Sequence, residues 1–171
     1  MGTVIGIRQL VKVRRTLRAR KKRVVFTNGT FDIIHRGHVE YLTKARQMGD
    51  VLVVGLNTDA SIRRIKGNGR PFNPDRDRAV VLASLAPVDY VCFFGEDTPK
   101  RIIEQLRPDV LVKGADWPKE MIVGRDTVER NGGVVRRIRL TPNRSTTSIA
   151  ERVLAAYRRR DITRRHRAGT R

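Results

Sequence analysis

Five short apolar segments alternate with amphipathic segments along most of this chain, and the alternation limits the folds open to it. The apolar segments have the length and β-branched content of buried strands; they span 24–28, 51–56, 88–94, 109–113 and 133–138. Helical patterning occupies 37–48, 74–85, 99–106 and 146–159. Strands that alternate with helices form a mostly parallel sheet with helices on its faces. We therefore predict an α/β fold with an open, Rossmann-like parallel sheet of about five strands flanked by helices.

Two of these helices have a strong start signal in the sequence. Asn73-Pro74 and Thr98-Pro99 each place a capping residue before a proline, and proline is favoured at the first helical position. No internal repeat or low-complexity linker interrupts residues 24–156. We expect this part of the chain to be one domain.

The positive charge of the chain is concentrated at its two ends. Lys and Arg number 37 against 17 Asp and Glu, a formal net charge of +20. Residues 1–23 hold nine basic residues and no acid, and 157–171 hold seven Arg and one Asp, which leaves only +5 for residues 24–156. We predict a basic N-terminal helical arm (1–23) that packs on the edge of the body, a central domain (24–156) and a basic C-terminal tail (157–171), the basic ends being mainly solvated surface.

The composition excludes several classes of protein. Cys92 is the single cysteine of the chain, so an intramolecular disulfide or a cysteine-based zinc site cannot form. No apolar stretch approaches the roughly 20 residues of a membrane span, and the N-terminus lacks the features of a signal peptide; we expect a cytoplasmic protein. Because aromatic residues make up only 5%, nucleic acid is the less favoured partner.

Residues 24–38 are the richest segment chemically. They combine an apolar strand, a short polar turn and two histidines, His35 and His38, around Arg36-Gly37. If a helix begins near Gly37, both imidazoles lie at its N-terminus, where free N–H groups and the helix dipole favour an anion such as phosphate. Two histidines without a third His, Cys or placed carboxylate make a poor zinc site, so we predict no metal bound by the protein alone.

The segment resembles a known enzyme signature. Residues 27–38 read TNGTFDIIHRGH, which is similar to the HxGH motif of the nucleotidyltransferase superfamily. Further segments occur in the order seen in the adenylyltransferase domain of the ADP-heptose synthases; they are 57–61, 66–67, 70–71, 73–74, 78, 96–99, 112–117, 131–133 and 145–149. The resemblance covers about residues 22–156, and the combination of segments makes it specific. It implies the HxGH nucleotidyltransferase fold.

The resemblance also implies roles for individual residues. The residues implied to act on the phosphates are His35, His38, Lys66 and Arg78. Those implied to bind the nucleotide are Asn28, Gly29, Thr30, Phe31, Gly37, Ser145, Thr146 and Thr147. Those implied on the substrate side are Asp32, Lys113, Gly114, Asp116 and Trp117. Asp32 is also a candidate for bracing the histidine-bearing turn, and Ser145 and Thr146 are equally suited to capping a helix.

The implied reaction transfers AMP from ATP to a sugar 1-phosphate, D-glycero-D-manno-heptose 1-phosphate, with Mg²⁺ carried on the ATP. The superfamily also makes a homodimer plausible. A cytidylyltransferase acting on glycerol 3-phosphate or a phospho-amine, and an FAD-forming adenylyltransferase, remain open as alternatives. A binder of nucleic acid or of a membrane surface through the basic ends remains open as a third.

The chain departs from the usual pattern of this family at three places. Thr30 stands where a cysteine is usual, Arg36 where a small residue is usual, and 142–144 read Pro-Asn-Arg where the family is commonly acidic or contains glycine. These departures bear on the sugar side of the site more than on the ATP side. The 23 residues before Val24 are too few for the kinase domain of the bifunctional members, so we expect the chain to carry out the second reaction alone.

Overall fold

A single parallel sheet with helices on both faces organises the chain, in a computed structural model that describes residues 1–142 and 144–168. The strands are β1 (Thr3–Val4), β2 (Val24–Gly29), β3 (Val51–Asn57), β4 (Tyr90–Phe94), β5 (Val110–Gly114) and β6 (Val134–Ile138). The helices are α1 (Ile7–Ala19), α2 (Arg36–Arg46), α3 (Asp59–Lys66), α4 (Asp75–Ala83), α5 (Lys100–Leu106), α6 (Arg125–Arg130) and α7 (Thr146–Ala168), and a 3₁₀ turn covers Lys119–Met121. The predicted Rossmann-like α/β class is confirmed.

The order of the strands fixes where a ligand can bind. The sheet runs β1-β4-β3-β2-β5-β6, and every paired strand is parallel to its neighbour. From β2 the chain first builds outward through β3 and β4, and then crosses to β5 on the other side of β2. In open α/β sheets a crevice forms where the winding direction reverses, at the carboxyl ends of the strands. Here that crevice lies between the ends of β2 and β5.

The core has two halves, one on each face of the sheet. Successive residues of β2 point to opposite faces, so Val25 joins one buried cluster and Phe26 the other. The first cluster includes Leu42 of α2 and Leu82 of α4, and the second includes Ile103 of α5. Strands buried on both faces have continuous apolar sequences, which is why their positions could be predicted.

The N-terminal segment adds a sixth strand to the predicted five. Residues Thr3 and Val4 pair with Tyr90 and Val91 of β4. Leu10 of α1 is 1% exposed, and the buried Arg14 pairs with Asp109 at 2.8 Å. A boundary at residue 23 stays a prediction, yet this segment extends the sheet and contributes to its core.

The starts of α4 and α5 correct the predicted caps. Pro74 and Pro99 stand one residue before these helices, not at the predicted first helical position, and a proline side chain has no group that could cap a helix. The Asn73 side chain instead donates to the carbonyl of Asp32 at 2.7 Å. Asn73 therefore joins two loops instead of capping a helix.

The last helix extends beyond its predicted end at residue 159, because α7 continues to Ala168. Residues 151–158 are all exposed. The final three residues of the predicted tail, 169–171, lie outside the described residues. Within the described part of the chain, no helix is both long enough and apolar enough to cross a membrane.

Candidate functional site

A cleft of about 570 Å³ opens at the point where the sheet reverses its winding direction. The ends of β2 and β5 form its floor, and the N-terminal ends of α2 and α7 border it. It brings together fifteen of the seventeen predicted site residues; they are Asn28, Gly29, Thr30, Phe31, His35, Gly37, His38, Lys66, Lys113, Gly114, Asp116, Trp117, Ser145, Thr146 and Thr147. The other two, Asp32 and Arg78, do not line it.

The two histidines form a stacked pair at the start of α2. Their ring centroids are 3.8 Å apart and the ring planes differ by 20°. Glycine suits the position between them, because a Cβ atom on Gly37 would make tight contacts, at 3.1 Å from His35 Nδ1 and 3.2 Å from the Cβ of Arg144. The motif therefore fixes both rings against the first turn of the helix.

The environment keeps both imidazoles neutral near pH 7. Burial, followed by the neighbouring His35, lowers the pKa of His38 to about 4, and a hydrogen bond to the backbone of Ile33 opposes this shift. Burial and the nearby Arg144 also lower the pKa of His35. The Nδ1 atoms of both rings are buried and make no hydrogen bond with the described residues. Buried polar atoms without partners are uncommon in folded proteins, and a catalytic role is one reason that a protein retains them.

Two helix N-termini meet at this side of the cleft. The Thr146 hydroxyl, in the first turn of α7, donates to the carbonyl of Ile33 in the histidine-bearing turn at 3.5 Å. Ser145 accepts a bond from the backbone N–H of Ser148 at 3.0 Å, which is a capping bond. The N-terminus of a helix favours anions through its free N–H groups and its dipole. The cleft thus combines two such termini with the histidine pair.

Phe31 connects this site to the end of β2. Its φ angle of 40° lies in the left-handed region, which costs a residue other than glycine about 1–3 kcal/mol and persists only where the surrounding structure enforces it. Its ring is buried and lies 5.1 Å from the ring of His38, centroid to centroid. A Cβ atom on Gly29 would come within 3.0 Å of the ring, so Gly29 allows the ring to fold back over the strand end.

Two lysines reach the cleft from opposite sides. Lys66, the last residue of α3, donates to the hydroxyl of Thr30 at 3.3 Å, and burial lowers its pKa. Lys113, near the end of β5, donates to the side-chain oxygen of Asn28. Burial lowers the pKa of Lys113 to about 8. Both ammonium groups can therefore meet a negatively charged ligand.

The loop after β5 brings an acidic and an aromatic residue to the rim. A Cβ atom on Gly114 would lie only 2.2 Å from Asp116 Oδ1. Glycine at position 114 therefore permits the carboxylate to turn back over the strand end. Trp117 is 52% exposed on the same loop. A carboxylate beside an anion site is suited to accept bonds from hydroxyl groups.

Arg78 occupies a different place from the predicted one. Its side chain is fully buried and pairs with Asp59 at 2.7 Å. The guanidinium also donates to three backbone carbonyls, which belong to Thr30 (2.6 Å), Asn57 (2.9 Å) and Asn73 (3.0 Å). Its guanidinium is engaged by these partners, and Arg78 does not line the cleft in which the phosphates are expected to bind. This placement corrects the expected direct contact.

Asp32 is likewise a bracing residue rather than a lining one. Its side chain is 3% exposed and pairs with Arg70 at 3.1 Å. The carboxylate also accepts the backbone N–H groups of Phe72 (2.9 Å) and Asn73 (3.0 Å). The loop at 70–73 therefore covers Asp32. Of the two sequence-based hypotheses for this residue, the bonds favour bracing of the turn.

The sequence interpretation missed several cleft residues. Arg144 and Thr141 border the cleft before α7, and Tyr41 and Asn57 line it from α2 and β3. Exposed apolar side chains other than the predicted Trp117 form part of its rim; they are Ile65, Met121 and Leu140. Asn57 had a signal, because a polar residue ends an otherwise apolar strand. The rim residues had none, since isolated exposed apolar residues are common on any surface.

Comparison with known proteins agrees with this geometry. A family model described as cytidylyltransferase-like matches residues 26–156. The chain is 54% identical over 152 residues to bifunctional protein HldE of Syntrophotalea carbinolica, which covers 89% of the chain and 30% of the relative. It is 52% identical over 150 residues to bifunctional protein HldE of Pseudomonas paraeruginosa, which covers 88% and 32%. The chain spans about a third of the length of these curated relatives.

Solved structures share the architecture. A lipopolysaccharide core biosynthesis protein from Thermoplasma volcanium superposes with a TM-score of 0.58 at 26% identity, over 70% of this chain and 97% of that one. A pantoate-beta-alanine ligase from Francisella tularensis superposes with a TM-score of 0.58 at 16% identity, over 83% and 69%. At that identity the second likeness concerns the fold alone.

Proposed function

Because the chain belongs to the cytidylyltransferase-like family, we propose that it transfers AMP from ATP to D-glycero-D-manno-heptose 1-phosphate and so produces ADP-heptose and pyrophosphate. The similarity to HldE supports this choice, since the C-terminal domain of HldE makes ADP-heptose from heptose 1-phosphate and ATP. The observation that carries the proposal is the convergence of the stacked His35–His38 pair, Lys66 and two helix N-termini on one cleft.

The proposed reaction is an in-line displacement at phosphorus. A phosphate oxygen of the sugar 1-phosphate forms a bond to the α-phosphorus of ATP, and the bond from that phosphorus to the α,β-bridging oxygen breaks. The bridging oxygen keeps the electron pair and leaves as part of pyrophosphate. Because the attacking phosphate is already ionised, no general base is required. Positioning and stabilisation of charge then provide the catalysis.

Several groups of the cleft support this part of the proposal. His35 and His38 are neutral near pH 7, since their pKa values are lowered, so each ring can donate one N–H to a phosphate oxygen. Lys66 supplies a positive charge, and the first turns of α2 and α7 supply backbone N–H groups. Donors fixed in place before the reaction stabilise developing charge without reorganising.

Mg²⁺ enters this proposal as a companion of ATP. The carboxylates that line the cleft are Asp97 and Asp116. Among the described residues, no group of three or more His, Cys, Asp and Glu side chains is arranged to hold a metal ion. Mg²⁺ keeps several waters and binds through few carboxylates and substrate phosphates, so this donor set fits an ion that arrives on the triphosphate. Bound there, it neutralises part of the triphosphate charge.

The remaining cleft residues divide between the two substrates. We propose that residues 28–31 contact the nucleotide through their backbone, and that Ser145, Thr146 and Thr147 contact its triphosphate. Lys113, Asp116 and Trp117 come from the end of β5 and the loop after it, and we propose that they contact hydroxyl-bearing groups of the substrates. Formation of a homodimer stays a prediction.

The test is a pyrophosphate-release assay over a matrix of substrates. ATP, CTP and GTP are each combined with heptose 1-phosphate, glycerol 3-phosphate and riboflavin phosphate in the presence of Mg²⁺. We expect release with ATP and heptose 1-phosphate alone. Release with another pair would keep the mechanism and replace the substrates. If every pair is inactive, binding of DNA and of anionic vesicles by the basic ends becomes the hypothesis to test.

Variants test the site itself. We expect His38→Ala to fold normally and to lower turnover by about 10² or more, because a preorganised donor to the transition state is lost. Lys66→Ala should lower turnover as well, whereas Lys44→Ala, an exposed lysine of α2 outside the cleft, serves as its control. Near-normal turnover of His38→Ala would show that His38 does not stabilise the transition state.

A further inference from the structure

Phe31 is held in its left-handed backbone conformation between two buried charged residues. The peptide bond before it carries the Thr30 carbonyl, which accepts from Arg78 Nη1 at 2.6 Å. The residue after it is Asp32, whose side chain is 3% exposed. Because φ at Phe31 is 40°, the segment needs restraints on both sides to keep this conformation.

Arg78 restrains the first side. Its guanidinium joins the ends of two neighbouring strands, since it donates to Thr30 after β2 and to Asn57 at the end of β3. The ion pair with Asp59 at 2.7 Å holds the guanidinium in place. A planar group with donors in a rigid fork suits such a junction, and a lysine would not reproduce it.

Asp32 restrains the second side. Its carboxylate accepts two backbone N–H groups of the loop at 70–73 and pairs with Arg70. Its own carbonyl accepts the side-chain amide of Asn73 at 2.7 Å. Asn73 also offers its carbonyl to Arg78 at 3.0 Å. The two restraints are therefore linked through one residue.

The ring of Phe31 transmits this arrangement to the histidine pair. The centroid of the Phe31 ring lies 5.1 Å from the centroid of the His38 ring, and the His38 ring also stacks on His35. We propose that Arg78 and Asp32 are positioning residues, which lock Phe31 in its left-handed conformation so that its ring fixes His38 in the cleft. The inference rests on the proposed role of His38 in the reaction.

The same chain offers a matched control on the far side of the sheet. Arg14 is also a buried arginine, and its guanidinium donates to the carbonyl of Arg107 at 3.0 Å and to Asp109 at 2.8 Å. Arg107 also has a left-handed φ, of 47°. Neither Arg14 nor Arg107 lines the cleft. Arg14→Met therefore removes a comparable set of buried bonds without touching the site.

The experiment compares Arg78→Met, Arg78→Lys, Phe31→Leu and Arg14→Met by two measurements. The first is turnover per folded protein. The second is the titration of His38 by NMR, which is practical because the chain has only three histidines and His35→Gln and His166→Gln assign the others. The titratable groups that act on His38, namely His35 and Lys66, are present in all four variants.

We expect wild-type His38 to take up its proton near pH 4, because its pKa is lowered to about 4. In Arg78→Met and Phe31→Leu the released ring gains solvent, so the midpoint should rise by about one pH unit or more towards 6.5. Turnover should fall at least about tenfold, with a smaller change in KM for ATP. For Arg78→Lys, both the His38 midpoint and the turnover should be intermediate between those of Arg78→Met and the wild type. Arg14→Met should lower Tm but leave both His38 and turnover unchanged.

Three results would overturn the inference. One is a wild-type His38 titration in folded Arg78→Met, and another is a shift of equal size in Arg14→Met. If Arg78→Met does not fold, Phe31→Leu provides the third test. An unchanged His38 titration in Phe31→Leu would show that the Phe31 ring does not fix His38. The titration needs no substrate, so a failure of the proposed reaction appears in the pyrophosphate assay alone and is separate from a failure of this inference.

Discussion

The two basic ends of the chain have similar compositions but different places in the molecule. In the N-terminal segment, β1 pairs with β4, and Ile5 and Leu10 are buried in the core. In α7, by contrast, every residue from 151 to 158 is exposed. The exposed stretch includes the apolar Leu154 and Tyr157, at 55% and 67% exposure.

Two arginines illustrate the difference. Arg14 of α1 reaches across to Asp109 and is 7% exposed, whereas Arg152 of α7 bonds only to the Ser148 carbonyl of its own helix among the described contacts. Net charge does not distinguish the two segments. The two segments differ because only the N-terminal one has a complementary surface on the body. The exposed edge of β4 pairs with β1, and an apolar face of α5 is covered by α1. The N-terminal segment is thus structural, and the exposed part of α7 is peripheral.

The largest expected effect is on stability, from a pair of matched leucines. Leu10→Ala should lower the free energy of unfolding by about 2–5 kcal/mol, because a fully buried leucine leaves a cavity. Leu154→Ala should change it by no more than about 0.5 kcal/mol, as at other exposed positions. Urea unfolding monitored by circular dichroism measures both. Equal losses of unfolding free energy in the two variants would show that Leu154 is buried against another surface, and the two ends would then not differ in this respect.

The sequence predicted the parts of the fold whose signal is apolar and local. Strand bounds such as 51–56 and 133–138 agree with the observed β3 and β6 within one residue. The missed elements are short. Strand β1 has two residues and depends on the β4 edge for its existence, and α3 buries a single apolar residue, Ile62. Such elements are stabilised by tertiary contacts that no local window contains.

The candidate site shows the same limit. The residues of the HxGH segment were located because glycine and histidine recur there at a fixed spacing directly after an apolar strand. The position of the Arg78 side chain could not be predicted, because the local sequence does not distinguish an arginine that lines an anion site from one that is buried below it. Only the carbonyls of Thr30, Asn57 and Asn73, which converge from three segments, decide between the two.

A smaller effect is expected from two glycines at the N-terminal end. A Cβ atom on Gly2 would lie 2.4 Å from the carbonyl oxygen of Val88, a backbone atom that cannot move aside easily, whereas one on Gly6 would meet nothing within 4 Å. Gly2→Ala should therefore cost about 1–3 kcal/mol of stability, typical of overpacking, and Gly6→Ala should be nearly neutral. Thermal unfolding of both variants measures this. A neutral Gly2→Ala would mean that the docking of β1 adds little to the fold.

The smallest effect is expected from removal of residues 158–171. Thr146 in the first turn of α7 borders the cleft, and a helical rise of 1.5 Å per residue places position 158 about 18 Å away along the axis. The influence of a helix terminus on an anion is confined to its first turn, and residues 151–158 are all exposed. Turnover of the truncated chain should therefore stay within about twofold of the full chain, whereas binding to DNA at low salt should weaken as seven arginines are lost. A collapse of turnover would show that the distal part of α7 supports the site, and the two basic ends would then be alike in being structural.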